Sequence, residues 1–553
     1  MVRCGFKNAS VARVLANGLN EHGQYIDQKD CILCYALTRG ASEAPSRRSN
    51  PVHISFQQIE GSPSVTGSSP ASLDALEQLL KRDFELLNLP PMNWVPPMPP
   101  GNHGPVLDVA IIGAGMAGLA AGFALVKLGI RNLRLFDAAP AGVEGPWATY
   151  ARMETLRSPK QLTGPALGFA NLTFRAWFEA QFGTAAWESL DKIPRLQWLD
   201  YLRWYRRMVD LPIENEVTLL DFAPAPDGSL LLTLKDATGT RLVATRRLVL
   251  ATGRDGLGGS FVPGIFQSLP KALWAHSAEA IDFTALAGKQ VAVIGAGASA
   301  AENAAEALEA GAAQVVMLAR RPEIPRVNKG LGAGHAGTTL GYQFLPPARR
   351  WALTQYVADC QIPPPRGSMA RAGRHENFAV WTDCPVTSAK ADQEQVVLET
   401  KHGAVRVDFV ILGTGFTVDW ARRPELARLA PVVALWRDRF LPENGENHSF
   451  GSQPFLGPAL EFTEREAGQA PWVRQVHCFN FGGMLSHGKV TGDIPGISIG
   501  AERLAAGLAQ TFFAEDYAEH FQRLVAFETP ELLGTEWRES PPLQFPKRVG
   551  AAE

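Results

Sequence analysis

Short apolar runs that alternate with alanine-rich stretches form the dominant pattern of this chain from Val106 onward. The runs Val106–Ile112 and Val291–Ile294 are almost uninterrupted in apolar character, and each precedes a glycine-rich turn and a stretch of helical periodicity. Such runs are typical of strands buried on both faces of a sheet. Strands that alternate with helices predict a doubly wound parallel sheet with helices on both faces.

The segment before this body has a different pattern. Leucine and phenylalanine recur at helical spacing between Ser72 and Leu89, which predicts an amphipathic helix with Ser72 as its N-cap. A proline-rich extended connector follows over 90–100. We expect residues 1–70 to be a poorly ordered extension. Cys31 and Cys34 have metal-like spacing, which leaves a metal or redox role as the alternative, but no second such pair completes a tetrahedral site.

Aromatic side chains crowd the predicted helix Arg195–Asp210, where Trp198, Tyr201, Trp204 and Tyr205 recur at helical spacing. Such a cluster suits either a stacking surface for a ligand or the packing of a core. Core packing is the interpretation that we favour, because aromatic residues at helical spacing are more often buried against neighbouring elements.

Composition narrows the class of protein. A chain of 553 residues suggests two or three domains, and a net charge of −2 with 20% charged residues gives no basic surface for a nucleic acid. No apolar run reaches the length of a membrane span, so stable membrane insertion is not expected. Six cysteines in so long a chain do not form a disulfide framework. We therefore expect a cytoplasmic enzyme with no metal site.

The first glycine-rich turn, Gly113-Ala-Gly115-Met-Ala-Gly118, has the spacing of a dinucleotide-binding loop. Gly113 permits the tight turn, Gly115 lets the backbone approach a pyrophosphate, and Gly118 allows the helix to pack on the strand. Asp137 stands at the end of the next predicted strand, at the spacing from the loop that a ribose-binding acid has. A carboxylate there accepts both hydroxyls of an adenosine ribose, so this loop predicts FAD.

The second glycine-rich turn, in the later half of the chain, has a different residue at the position that corresponds to Asp137. It contains Gly295, Gly297, Ser299 and Ala300, with Ala300 in place of the third glycine. Ala319 is as far from Gly295 as Asp137 is from Gly113, so the acid is missing, and Arg320 and Arg321 follow. Because an arginine fork binds a 2′-phosphate that a carboxylate would repel, this loop predicts NADPH rather than NADH.

Two further apolar runs end in the same Thr-Gly turn, Thr252-Gly253 and Thr414-Gly415, which suggests two equivalent places where a strand edge meets a cofactor. The predicted fold class is α/β, with two Rossmann-like, three-layer dinucleotide-binding domains and the NADPH domain inserted into the FAD domain. The predicted units are the extension at 1–70, the helix and connector at 71–105, the first part of the FAD domain at 106–288, the NADPH domain at 289–405, and the second part of the FAD domain with the C-terminal region at 406–553.

These features together resemble the class B flavoprotein monooxygenases. The two loops, the arginine pair, and Leu412-Gly-Thr-Gly-Phe416 carry the resemblance, and Trp198–Trp204 together with Asn480 and Ser486-His487-Gly488 are most similar to the N-hydroxylating branch. The Phe-x-Gly-x-x-x-His-x-x-x-Trp fingerprint of Baeyer–Villiger enzymes is absent. The resemblance implies that NADPH reduces FAD and that a flavin peroxide then transfers one oxygen atom from O₂ to a small organic substrate, with N- or S-oxygenation favoured over Baeyer–Villiger insertion.

Residues beyond the nucleotide loops are candidates with open alternatives. Asn480, His487 and Arg157 are the catalytic candidates, and Asp493 is placed to contact the flavin ribityl chain, against a plain turn role. The glycine-rich segment 326–342 suits either a lid or a disordered surface loop. A flavin reductase without oxygen transfer and a non-enzymatic scaffold are the competing functions. Substrate identity and oligomeric state are left open.

Overall fold

The structure is a computed structural model that describes residues 72–101, 103–443, 445, 447–540 and 542. The predicted extension at 1–70, with Cys31 and Cys34, lies outside these residues. Within the described part of the chain, no helix combines the length and apolarity needed to cross a bilayer.

The helices, numbered in chain order, are α1 Leu73–Leu86, α2 Met116–Lys127, α3 Phe174–Ser189, α4 Arg195–Val209, α5 Ala298–Glu309, α6 Ala336–Gly341, α7 Pro347–Cys360, α8 Arg366–Ala372, α9 Trp436–Arg439, α10 His448–Gly451, α11 Met484–His487, α12 Ile497–Glu515 and α13 Tyr517–Val525. The strands are β1 Val106–Ile112, β2 Leu133–Asp137, β3 Ile213–Asn215, β4 Thr218–Pro224, β5 Leu230–Asp236, β6 Gly239–Leu250, β7 Gly258–Ser260, β8 Trp274–His276, β9 Gln290–Ile294, β10 Gln314–Leu318, β11 Phe378–Trp381, β12 Val386–Asp392, β13 Gln395–Thr400, β14 Gly403–Val407, β15 Phe409–Leu412, β16 Phe416–Val418 and β17 Val476–Cys478.

The first sheet is built around β1, as the apolar pattern predicts. Its strand order is β3-β2-β1-β6-β5-β4, and β17 pairs with β6. The central strands β3, β2, β1, β6 and β17 run parallel, whereas β4, β5 and β6 form an antiparallel extension. The central part of β1 is fully buried; α2 packs on β1 and β2, and α12 packs against α2.

The second sheet is fully parallel, with the order β11-β10-β9-β15-β8. Its strands lie between Trp274 and Leu412, and the chain then returns to the first sheet at β17. The second sheet is therefore inserted in the chain between strands of the first, as the sequence predicts. Strands β8 and β15 lie just outside the predicted range 289–405, and the predicted unit boundaries stay a prediction.

The N-terminal helix and the aromatic helix both follow their sequence patterns. Ser72 caps α1, and its hydroxyl oxygen accepts the backbone N–H of Ala75 at 3.2 Å. In α4 the four aromatic side chains are at most 2% exposed, and the hydroxyl of Tyr201 donates to Leu172 at 2.8 Å. This helix therefore forms part of a core and offers no stacking surface to a ligand.

Candidate functional site

A cavity of about 2370 Å³ lies between the carboxyl ends of the parallel strands of the two sheets. Carboxyl ends of parallel strands are where open α/β sheets bind nucleotides, because the glycine turns and helix N-termini meet there. Thirteen of the fifteen predicted cofactor-binding residues line this cavity. The two that do not, Gly118 and Ala300, are buried where a helix packs on a strand.

Steric constraints on the first loop explain its glycines. Gly113 has a φ of +104°, and a Cβ there would collide with the carbonyl oxygen of Ala251. A Cβ on Gly118 would collide with the carbonyl oxygen of Gly113, so the helix can approach the turn only without a side chain. The nearest heavy atom to a Cβ on Gly115 is 3.9 Å away, in Gly145. Gly115 is therefore free of close protein contacts and leaves its space to a ligand.

Two helix N-termini open on the cavity. Gly115 is the N-cap of α2 and Gly297 is the N-cap of α5, and neither helix has a side-chain cap. The first N–H groups of a helix without such a cap are available to an external acceptor, and the helix dipole favours a negative one. The arrangement fits two pyrophosphates, one at each loop.

Asp137 stands at the end of β2 and lines the cavity beside the first loop. Its carboxylate accepts the backbone N–H groups of Ala114 at 2.6 Å and Ala139 at 2.8 Å. Burial raises the pKa of this carboxyl, although both hydrogen bonds oppose the rise. The second lone pair of each oxygen can accept a ribose hydroxyl, so the carboxylate fits the predicted ribose contact.

The second loop tolerates alanine at its third position for a geometric reason. Ala300 is fully buried, and it lies so close to Gly413 that a Cβ on Gly413 would be 2.8 Å from the Ala300 side chain. In this loop the glycine stands at the end of the facing strand, as Gly413. Its missing side chain provides the space that a third loop glycine would otherwise give. Ser299 lines the cavity, and its carbonyl oxygen accepts the amide of Asn303 at 2.7 Å.

The two arginines of the pair, Arg320 and Arg321, differ in their contacts. Arg321 donates to the carbonyl oxygen of Asp359 at 2.9 Å and so is attached to the end of α7. Arg320 is exposed, lines the cavity, and makes no hydrogen bond or ion pair with any residue that the structure describes. Its guanidinium is therefore the one available to a 2′-phosphate.

The two Thr-Gly turns face the same cavity, as their repetition suggested. Gly253 and Gly415 both have positive φ, +76° and +82°, which bends the chain sharply after β6 and β15. The hydroxyl of Thr414 donates to the carbonyl oxygen of Phe261, and the hydroxyl of Thr252 accepts the amide of Asn480 at 3.0 Å. Each turn is therefore fixed from behind while its glycine faces the cavity.

Two of the three catalytic candidates lie behind the cavity wall. Asn480 is fully buried, and besides its bond to Thr252 it accepts the N–H of Gly482 at 2.9 Å. His487 is 2% exposed, accepts from Arg503 at Nδ1 (3.2 Å), and donates from Nε2 to Gly457 (2.8 Å). Burial lowers the pKa of His487 to about 3. Neither side chain lines the cavity, and both make hydrogen bonds to neighbouring segments of the protein.

Arg157, the third candidate, does line the cavity. Its guanidinium donates to the carbonyl oxygen of Pro363 at 2.8 Å and thereby joins the loop after β2 to the loop before α8. Burial lowers its pKa, while the charge of Glu302 opposes that effect. Arg157 is therefore a cation on the wall that also connects the FAD-side and NADPH-side halves.

Asp493 lies on the cavity wall at the start of the turn that leads into α12. Lys489 is its nearest cation, with a nitrogen–oxygen distance of 4.0 Å. Helix α12 follows, and its N-cap Gly496 provides no side-chain cap, so the N–H groups of its first turn are free. Asp493 and this helix terminus are consistent with the predicted contacts to a flavin.

The segment 326–342 has more regular structure than its glycines suggest. It contains α6 and a short 3₁₀ turn, and eleven of its seventeen residues line the cavity. Arg503 holds it from the FAD side by donating to the carbonyl oxygen of Thr339 at 3.1 Å, and the hydroxyl of Tyr342 lies 2.7 Å from that of Thr354. Sequence reasoning missed Arg503 and Tyr342, because neither belongs to a motif.

Glu302 is an acid among arginines at the second loop. It is 4% exposed, lines the cavity, and has Arg371, Arg157 and Arg152 close enough to influence its charge. Burial nevertheless dominates and raises the pKa of Glu302 to about 7. Burial therefore favours the neutral form of this side chain far more than an ordinary glutamate would show.

Comparison with known proteins identifies relatives of nearly the whole described chain. A family model described as pyridine nucleotide-disulphide oxidoreductase matches residues 110–331. An FAD-dependent urate hydroxylase from Xanthomonas campestris pv. campestris is 39% identical over 467 residues, which cover 84% of this chain and 98% of that protein.

Solved structures with the same fold have much lower identity. An ornithine hydroxylase from Pseudomonas aeruginosa aligns with a TM-score of 0.57 at 17% identity, and covers 73% of this chain and 99% of its own. An L-lysine 6-monooxygenase from Pseudomonas syringae aligns with a TM-score of 0.57 at 18% identity, with 73% and 99% covered. At these identities the likeness concerns the fold alone, and it confirms the predicted α/β class with two Rossmann-like domains.

Proposed function

The chain belongs to the class B flavoprotein monooxygenase superfamily, and on that premise we propose that it is an NADPH-dependent hydroxylase of a small oxidised purine such as urate. The observation that carries the substrate proposal is the 39% identity to an FAD-dependent urate hydroxylase over 98% of that protein's length. Membership confirms the predicted flavoprotein monooxygenase with FAD as its cofactor. The substrate and the preference for NADPH are the proposed parts.

The cofactors supply the redox chemistry, since NADPH reduces FAD and reduced FAD activates O₂. The protein binds and orients them. We assign the FAD pyrophosphate to Gly115 and the N-terminus of α2, and the adenosine ribose to Asp137. Gly297 and the N-terminus of α5 are assigned to the second pyrophosphate. The overall reaction consumes one NADPH, one proton and one O₂ per substrate, and yields hydroxylated substrate, NADP⁺ and water.

Water exclusion is the task that we assign to the segment 326–342. This segment forms one wall of the cavity and is held against the FAD side by Arg503 through Thr339. A site closed to water prevents activated oxygen from being released as hydrogen peroxide. Arg503 and His487 act together here, because His487 accepts from the same guanidinium.

Selection of NADPH over NADH is assigned to Arg320. A charge-assisted contact to phosphate contributes about 1.5–3 kcal/mol, or roughly a 10- to 150-fold difference in affinity. Arg320→Ala should therefore raise the KM for NADPH by about that factor and leave the KM for NADH nearly unchanged. Arg321→Ala is the matched control and should have a smaller effect, because Arg321 is engaged by Asp359. Equal effects of Arg320→Ala on both nucleotides would contradict the assignment.

One assay tests the reaction. The FAD-loaded protein is mixed with NADPH, ¹⁸O₂ and urate, and NADPH oxidation, hydrogen peroxide and labelled product are measured. The proposal predicts urate-dependent NADPH oxidation, one ¹⁸O atom in the product, and little peroxide. NADPH oxidation that gives only peroxide with every substrate would favour a reductase.

N- or S-oxygenation, which the sequence alone favours, is the second candidate. The N-hydroxylating resemblance of the segment around Asn480 and Ser486–Gly488 supports it. The same assay with a primary amine and a thioether in place of urate separates the two candidates. Labelled product from the amine or thioether, and none from urate, would replace the purine proposal.

A further inference from the structure

We infer that Arg254 and Gln453 form the subsite that binds the oxygen- and nitrogen-bearing edge of the substrate, against the ring of Phe481. The inference rests on the proposed function, since it places an anionic oxopurine in the cavity. All three residues line the cavity, and Arg254 directly follows the Thr252-Gly253 turn.

Arg254 is a cation whose charge is free for a ligand. It follows the Thr252-Gly253 turn, is exposed on the cavity wall, and makes no ion pair or hydrogen bond within the described part of the chain. Its guanidinium lies 5.2 Å from the centre of the Phe481 ring. This stacking restricts the side chain without using its donors, so the planar group can present two parallel N–H bonds to an acceptor pair.

Neighbouring arginines on the cavity wall are engaged elsewhere. Arg422 donates to the carbonyl oxygen of Ser260, and Arg423 is paired with Glu425. Arg254 is therefore the cation at this end of the cavity that an anionic substrate can bind without breaking an existing contact among the described residues.

The backbone behind Arg254 is fixed by the 480–482 turn. The amide of Asn480 donates to the hydroxyl of Thr252 at 3.0 Å, and the backbone N–H of Phe481 donates to the carbonyl oxygen of Gly253 at 3.2 Å. The same short segment thus holds the turn and provides the ring on which Arg254 stacks. This explains why Asn480 is fully buried beside the cavity and absent from its wall.

Gln453 provides the complementary group. It is 7% exposed, and its Oε1 accepts the backbone N–H of Leu485 at 3.3 Å. That contact fixes the orientation of the amide and leaves the NH₂ group as the donor for a molecule in the cavity. Arg254 and Gln453 also share the wall of a small adjoining pocket of about 30 Å³, with Phe416 and Phe481. A space of that size holds one water molecule or one carbonyl oxygen.

Arginine binds two adjacent acceptors of a purine edge bidentately, as it does with guanine, and the NH₂ group of a glutamine donates to a further acceptor. Urate carries carbonyl oxygens around its rings and is an anion at neutral pH. A free guanidinium, an oriented amide and an aromatic face therefore match its charge, its polar edge and its planar shape. The chemical class is a planar, anionic oxopurine.

Three variants test the subsite in the FAD-loaded protein. Arg254→Ala should raise the KM for urate, and the Kd of urate for the oxidised enzyme measured by calorimetry without NADPH, by about 10- to 100-fold. Arg254→Lys keeps the charge but not the bidentate geometry, and should show a smaller increase. Gln453→Glu keeps the acceptor for Leu485 but places a negative charge against the anion, and should weaken urate binding at least as much as Arg254→Ala.

The controls separate this subsite from the cofactor sites. In Arg254→Ala, the FAD content, the melting temperature and the rate of flavin reduction by NADPH should be unchanged. Arg428→Ala serves as a surface control, because Arg428 is an exposed arginine that pairs with Asp221, and it should match the wild type in every measurement. An unchanged Kd for urate in Arg254→Ala would overturn the inference. A raised KM for NADPH or a loss of FAD in this variant would also overturn it, because Arg254 would then serve a cofactor site. Wild-type protein that binds urate through Arg254 without hydroxylating it would refute the proposed reaction and leave the subsite standing. Wild-type protein that does not bind urate would refute both.

Discussion

Glu302→Gln should stabilise the FAD-loaded protein at pH 8 and have little effect at pH 5. The carboxyl is 4% exposed, and burial raises its pKa from an ordinary value of 4.5 to about 7. The folded state binds this proton more tightly than the unfolded state does. The protonated carboxyl therefore makes its full contribution to the free energy of unfolding below the unfolded pKa of 4.5. That contribution is lost as the pH rises from 4.5 through about 7.

The magnitude follows from the pKa difference. Ionising a carboxyl with a folded pKa of about 7 and an unfolded pKa of 4.5 costs about 3 kcal/mol of folding free energy at pH 8, and less than about 1 kcal/mol at pH 5. Glutamine has nearly the same shape and does not ionise, so Glu302→Gln avoids this cost. For a chain of this size, about 3 kcal/mol corresponds to a rise in melting temperature of about 3 °C at pH 8.

Thermal unfolding of the FAD-loaded wild type and variant at pH 5 and pH 8 is the assay, with tryptophan fluorescence and flavin release as the two signals. Glu306→Gln is the matched control, because Glu306 lies one turn further along α5 and is paired with Arg371 at 2.9 Å. It should not stabilise the protein at either pH. A Glu302→Gln protein that melts at or below the wild-type temperature at pH 8 would show that attraction by Arg371, Arg157 and Arg152 outweighs burial.

Three further outcomes are expected. The FAD-free Gly115→Ala protein should melt at the same temperature as the FAD-free wild type, because the added methyl group meets no protein atom closely. It should retain less FAD, because the methyl group occupies the space for the phosphates. Gly118→Ala should fail to fold, because its methyl group collides with the carbonyl oxygen of Gly113. The ratio of flavin to soluble protein distinguishes the two, and equal retention by both would be inconsistent with the steric assignment. His487→Gln should lower the melting temperature but leave the pH profile of kcat between 5 and 9 unchanged, because a histidine with a pKa of about 3 stays neutral there; a shifted profile would indicate a catalytic proton. Ser72→Ala should cost about 1 kcal/mol by removing the cap of α1, as chemical denaturation would show, and no change would mean that the helix end is satisfied by other contacts.

The elements around the nucleotide loops could be predicted from local sequence because their requirements are local. Gly113 has a positive φ, and Gly118 has no room for a side chain, so each of these positions restricts the residue type directly. Asp137 and Arg320 stand at a fixed distance from their loops, since a strand–turn–helix–strand unit has a nearly fixed length.

The catalytic candidates were less predictable, because a motif gives residue types but no side-chain direction. Asn480 and His487 belong to the segment that resembles the N-hydroxylating branch, yet both face away from the cavity and stabilise its wall. Arg254 and Gln453 belong to no motif and are far apart in sequence. Only packing of the segments that contain Gln453 and Phe481 against the turn after β6 brings them to one pocket.

Local sequence was sufficient to specify the two glycine loops, the difference between Asp137 and Arg320 at corresponding positions, and the alternation of buried strands with helices around the loops. These properties follow from backbone geometry and residue chemistry within short segments. Which polar side chains face the cavity and which support it depends instead on how distant segments pack. Burial and orientation arise from those long-range contacts, and so the raised pKa of Glu302, the neutral His487 and the free guanidinium of Arg254 become visible only in the folded chain.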